Sequence, residues 1–147
     1  MKVTIVCIVE GDGEVEAVPL LLRRLGQNMN PPVILEVPRP IRSNRHKIIK
    51  SGELERAVRL AAKRAGKCGA ILVLLDSDDD CPGVLGPHLF QRAISERGDI
   101  PLSVALAKRE YEGGSSRRQD RFGVKGASAT HSSLLRIQRA FGEPRNG

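Results

Sequence analysis

Three groups of carboxylates recur in the 147-residue sequence, each directly after an apolar run. Glu10 and Glu14 follow residues 3–9; Asp76, Asp78, Asp79 and Asp80 follow residues 70–75; Glu110 and Glu112 follow residues 102–107. Carboxylates held close raise one another's pKa or require a cation. Oxygen ligands without His or Cys suit a hard ion, Mg²⁺ or Mn²⁺. Mg²⁺ keeps several waters and prefers one or two carboxylates plus a substrate phosphate, which points to metal-assisted phosphodiester chemistry. Alternate residues of an extended segment project the same way, so Asp76 and Asp78 can share one ion. The candidate catalytic residues are therefore Glu10, as general base or ligand, with Asp76 and Asp78 as ligands. The wider set of candidate metal ligands is Glu10, Glu14, Asp76, Asp78, Asp80 and Glu110. Taken alone, residues 78–80 read better as a solvated turn capping a helix, and Gly11 and Gly13 as turn residues. The coincidence of acids at three strand ends favours a shared site.

A basic stretch holds Arg39, Arg42, Arg45, His46, Lys47 and Lys50. It suits a phosphate-gripping surface and a solvated loop equally. On the first reading Arg42, Arg45 and Lys47, with Lys108 at the end of the last apolar run, contact nucleic acid. For Lys108 a surface ion pair serves as well. Residues 39–50 contain no Phe, Tyr or Trp, so base stacking is unsupported. His46, His88 and His131 are dispersed and take no role. Cys7 and Cys68 read as packing residues, and Tyr111, between two glutamates, as packing in preference to a nucleophile.

The elements that must position these groups alternate. Residues 3–9 are nearly all apolar and β-branched, as in a central parallel strand covered on both faces. From Glu14 the residues Val15, Val18, Leu21, Leu22 and Leu25 form a helical stripe, in which Pro19 belongs near the first turn or at a kink. Residues 33–37, between prolines, form a short strand near an edge. Ser51 reads as an N-cap for a helix carrying Leu54, Ala57, Val58 and Ala61 and ended by Gly66. Residues 70–75 form a buried strand, Pro82-Gly83 a turn, residues 86–97 a helix and residues 102–107 a fourth strand. The expected fold is α/β: a Rossmann-like parallel sheet of about four strands with helices on both faces.

Composition limits the function classes. The chain is 40% hydrophobic and 28% charged, which excludes wholesale disorder. No apolar run approaches the ~18 residues of a membrane span, and no secretory leader is expected. Three cysteines without paired spacing fit a reducing cytoplasm. The net charge is +7, but residues 113–147 hold 7 of the 24 Lys and Arg and 2 of the 17 Asp and Glu, so +5 of it lies there. The high pI therefore says little about residues 1–112.

Glu10-Gly11 after the first strand and Asp76-Ser77-Asp78 after the third resemble a Toprim domain, the metal-binding module of topoisomerases, bacterial primases and OLD-type nucleases. The chain is most similar to a bacterial Toprim-like family, domain of unknown function 4276. The resemblance covers residues 1–112 through Val9-Glu10-Gly11-Asp12-Gly13-Glu14, Pro19-Leu20-Leu21-Leu22-Arg23-Arg24-Leu25, Leu74-Leu75-Asp76-Ser77-Asp78-Asp79-Asp80-Cys81-Pro82 and Ala107-Lys108-Arg109-Glu110-Tyr111-Glu112. It implies a Toprim fold and a divalent metal, with Glu10 and Glu14 on one side and Asp76 and Asp78 on the other. It further implies nucleic-acid cleavage, of DNA in the first instance, in phage defence beside an ATPase partner. Two other readings stand beside it. One is a catalytically silent module that binds an ATPase or nucleic acid. The other is a receiver-like phosphoacceptor at Asp76 with Lys108 beside it, which fits less well because receivers carry an acidic pair where this chain has Glu10-Gly11.

After Glu112 the chain departs from that family, in which a Trp-Phe-Leu-Ala-like helix follows. Here Gly113-Gly114-Ser115-Ser116-Arg117-Arg118-Gln119 follows, and the remainder is rich in Ser, Arg and Gly, with an apolar patch at Leu134, Leu135 and Ile137. With TCN serine and CGN arginine codons, residues 113–119 read from their third nucleotide admit Trp-Phe-Leu-Ala-Ala-Ala. Residues 113–147 are thus expected to be an out-of-frame translation, the alternative being a genuine basic, disordered tail that binds nucleic acid. An out-of-frame end would carry no functional information and would leave the sheet partly uncovered.

Overall fold

A computed structural model of the chain describes residues 2–50, 52–77 and 80–107. The expectations for Ser51, Asp78, Asp79, Lys108, Glu110, Tyr111 and Glu112, and all those for residues 113–147, lie outside these. The elements run β1 (Lys2–Val9), α1 (Asp12–Gln27), β2 (Ile34–Glu36), β3 (Ile41–Arg42), α2 (Arg45–Ile49), α3 (Glu53–Ala65), β4 (Ala70–Asp76), α4 (Pro82–Glu96) and β5 (Leu102–Ala107). The strands form a parallel sheet in the order β2-β1-β4-β5, and β3 pairs with β1 beyond β2. The α/β expectation, with a parallel sheet and helices on both faces, is met.

The near-continuous apolar reading of β1 has a direct cause. Its side chains alternate between two cores. Val6 and Ile8 join Ile71, Val73 and Leu75 of β4 under α2, α3 and α4. Cys7 and Val9 join Val18 of α1 and Val37, with Leu72 and Leu74 packed against them. Among the described residues α1 is the one helix on that second face, and Leu20, Leu21 and Leu25 on it remain exposed. In α3 the buried residues are Leu54, Ala57, Val58, Ala61, Ala62 and Ala65; the small alanines let its backbone approach β1 and β4 closely. Gly66, at φ +68°, ends it in a conformation that favours glycine. Gly26 is required by close approach: a Cβ there would lie 2.5 Å from the Val33 carbonyl oxygen and 2.8 Å from Leu35 Cγ, where α1 meets β2. No described helix is long and apolar enough to cross a membrane.

Four boundaries differ from expectation. First, α1 starts at Asp12, two residues before Glu14, with Asp12 and Glu14 in its first turn; acids are favoured there by the helix dipole. Second, Pro19 lies well inside α1 and is buried, so the Val15 carbonyl forgoes its usual helical partner. Third, the N-cap of α3 is Gly52, and the Glu55 carboxylate accepts from the Gly52 N–H at 2.9 Å. Fourth, Pro82-Gly83 is the opening turn of α4 and not a separate turn. Proline at a first helical position costs no hydrogen bond because that N–H has no helical partner. The stretch 39–50, to which the sequence reading assigned no helix or strand, contains β3 and the short α2.

Candidate functional site

The direction in which strands are added to the sheet reverses about β1. After β1 the chain crosses to β2 and β3 on one side; after β3 it crosses to β4 on the other. In open parallel sheets the crevice outside the carboxyl ends of two such strands is the usual ligand site. Val9 pairs with Leu74, so Glu10 and Asp76 lie at the same rim, at the ends of the two neighbouring central strands. β5 is the next neighbour, with Asp76 opposite Ala107. The sequence required the first, third and fourth apolar strands to be adjacent for their acids to meet, and they are.

The rim is built from three loops. Glu10 is half-buried at the exit of β1, and its Oε2 is buried without a hydrogen-bond partner among the described residues. Glu14, one turn into α1, folds its carboxylate back over Gly11, where any Cβ would overlap it. Along β4, alternation puts Asp76 in the row of Leu72 and Leu74, towards α1. It puts Ser77 in the row of Val73 and Leu75, towards α3 and α4. Ser77 is fully buried, and its Oγ has no partner among the described residues. Buried oxygens are almost always satisfied, so two without a partner among the described residues set this rim apart from the rest of the core.

The basic stretch supplies countercharge. The Ser43 N–H donates to the Val9 carbonyl at 2.9 Å, which lays the stretch against the end of β1. Arg42, exposed on β3, donates to the Glu10 carbonyl at 3.4 Å and pairs with Asp12 at 3.3 Å. Asn44 caps α2 by accepting from the His46 N–H at 2.9 Å. This aims Arg45, only 6% exposed, into the rim. There its guanidinium donates to the Ser77 carbonyl at 3.1 Å and forms an ion pair with Asp80.

Of the expected metal ligands, then, Glu10, Glu14 and Asp76 reach one end of the sheet, while Asp80 is engaged by Arg45. Asp78 and Glu110 lie outside the described residues. Among the described residues no three His, Cys, Asp or Glu side chains are placed to share an ion. Of the expected nucleic-acid contacts, Arg42 and Lys47 are exposed. Arg45 is buried and turned inward, which corrects its reading as a surface contact, and Lys108 lies outside. The sequence reading gave Ser77 no role; its place one residue after a strand-end acid, on the inward row, is the signal that marks it.

Comparison of the chain with protein-family models, curated proteins and solved structures finds no match.

Proposed function

We propose that the chain is a Toprim-like, divalent-metal-dependent nucleic-acid-processing domain, a nuclease that hydrolyses phosphodiesters. The observation that carries this reading is the placement of Glu10 and Asp76 at the carboxyl ends of adjacent parallel strands, at the point where the topology reverses. The oxygen-only donor set and the unsatisfied Glu10 Oε2 fit Mg²⁺ or Mn²⁺. When bound, the metal would polarise the phosphodiester and lower the pKa of an attacking water. Glu10 and Asp76 would hold the ion, with Asp78, two residues further along the sequence, as the expected third ligand. Arg42 and Lys47, exposed beside the rim, would carry the flanking phosphates of DNA. An ATPase partner and a role in phage defence belong to the same proposal.

A plasmid-nicking assay with Mg²⁺ or Mn²⁺ tests it. The expected result is nicking that EDTA removes and that Asp76→Asn lowers at least about 100-fold, each lost ligand costing several kcal/mol of transition-state stabilisation. Activity that survives Asp76→Asn sinks the assignment. A second reading, a catalytically silent module binding an ATPase or nucleic acid, is favoured by the arginines that already offset Asp12 and Asp80. Partner binding that persists in EDTA, with no nicking by the complex, would select it.

A further inference from the structure

We infer that Arg45 is a positioning residue: it sets the exit of β4 and thereby the Asp76 carboxylate. The inference rests on the metal-dependent reading above and adds a residue to it. The sequence offers Arg45 as one cation in a basic stretch, but the structure separates it from its neighbours. Arg42, His46 and Lys47 are exposed, whereas Arg45 is buried. Burying a guanidinium is costly unless its donors are met by well-placed acceptors. Two acceptors flank the acidic strand end: the Ser77 carbonyl, one residue after Asp76, and the Asp80 carboxylate. The Ser77 carbonyl also accepts from the Asp80 N–H at 2.9 Å, and the Ser77 N–H donates to the Ala107 carbonyl at 2.9 Å. Ser77, the residue after Asp76, is therefore held through its N–H from β5 and through its carbonyl from α2. Both bonds leave one terminal nitrogen, whose two N–H groups are fixed in the guanidinium plane; a lysine ammonium rotates on a flexible stem and fixes neither direction.

The geometry gives Arg45 a second effect on the same residues. Its charge neutralises Asp80, which lowers the repulsion that a further carboxylate would impose on Asp76. Groups that orient metal ligands without touching the metal typically change affinity about 10- to 100-fold when removed.

The test is Mn²⁺ binding to the full chain, followed by electron paramagnetic resonance, for wild type, Arg45→Lys, Arg45→Ala, Asp80→Asn and Asp76→Asn. The variants are compared at a temperature where circular dichroism shows each one folded. Arg45→Lys keeps the charge and most of the stem, and Asp80→Asn alters a solvent-facing partner, so both remain informative if Arg45→Ala does not fold. The expected result is a Kd raised about 10-fold or more in Arg45→Lys and Asp80→Asn. In the Asp76→Asn background, Arg45→Lys should cause no further change. Wild-type Mn²⁺ affinity in both Arg45→Lys and Asp80→Asn overturns the positioning role while leaving the metal site standing. Absence of Mn²⁺ binding by the wild-type chain overturns the metal-dependent reading, and this inference with it.

Discussion

Cys7 lies at the centre of β1 with no exposed surface, and burial pushes its thiol up to about 12. The thiolate is the reactive form, so at pH 8 almost none is present on Cys7 even if a reagent reached it. Cys68 and Cys81 are exposed. Ellman's reagent is therefore expected to titrate two thiols quickly in native buffer and the third only after denaturation. Three fast thiols would mean that β1 is not the buried centre of the sheet. The apolar setting of Cys7 was legible in the sequence because period and hydrophobicity are local properties. The role of Arg45 was not. Its acceptors, the Ser77 carbonyl and Asp80, lie 32 and 35 residues further along the chain, and nothing in the basic stretch distinguishes Arg45 from Arg42. What separates them is that Arg45 opens a capped helix whose first turn faces the core, a feature set by the packing of Ile48 against α3 and the sheet.

At the level of elements, the site depends on how α2, α3 and α4 are fastened under the sheet. Arg92 of α4 makes the fastening. Its guanidinium donates to both carboxylate oxygens of Glu55 on α3, at 2.8 and 3.0 Å. It also donates to the Ile48, Ile49 and Lys50 carbonyls at the end of α2, at 3.2, 3.0 and 2.9 Å. Cations are favoured at a helix C-terminus, where carbonyls lack helical partners. The bidentate bond from Arg92 holds the Glu55 carboxyl down at about 2. A carboxyl whose folded value lies below its unfolded value of about 4.3 stabilises the fold above that pH. The contribution fades as pH falls towards 2. Glu55→Gln is therefore expected to lower stability by about 1–2 kcal/mol at pH 7, the range for charge-assisted hydrogen bonds in a partly exposed pair. The difference from wild type should shrink steadily between about pH 4.5 and pH 2. Urea unfolding at a series of pH values checks this, and a difference independent of pH would remove Glu55 as the titrating group. Sequence reading placed α3 and its buried face correctly because the apolar spacing is helical. It missed the first turn of α4 because Pro82-Gly83 signals a turn as readily as a helix start, and only the packing of Leu85, Leu89 and Ala93 against the core decides between them.

The whole molecule couples these parts through its topology. β1 lies between β2 and β4, so the two most apolar strands end together and present Glu10 and Asp76 at one end of the sheet. Those strands are also where stability is concentrated, since both faces of each are packed. A ligand held at their ends by the native state alone must therefore stabilise the entire domain through mass action. With a Kd of about 1 mM, 10 mM Mg²⁺ contributes about 1.4 kcal/mol. For the roughly 100 described residues this corresponds to a rise in melting temperature of about 5–10 °C. The control is NaCl at matched ionic strength, which screens the rim carboxylates without occupying a site. Asp76→Asn should melt with little dependence on Mg²⁺. If wild type and Asp76→Asn rise equally, the ion acts by screening or binds elsewhere, and the crevice between β1 and β4 is not the metal site. If neither rises in Mg²⁺ or Mn²⁺, the arginines of the basic stretch suffice to balance the acidic rim, and the silent-module reading takes the place of the nuclease.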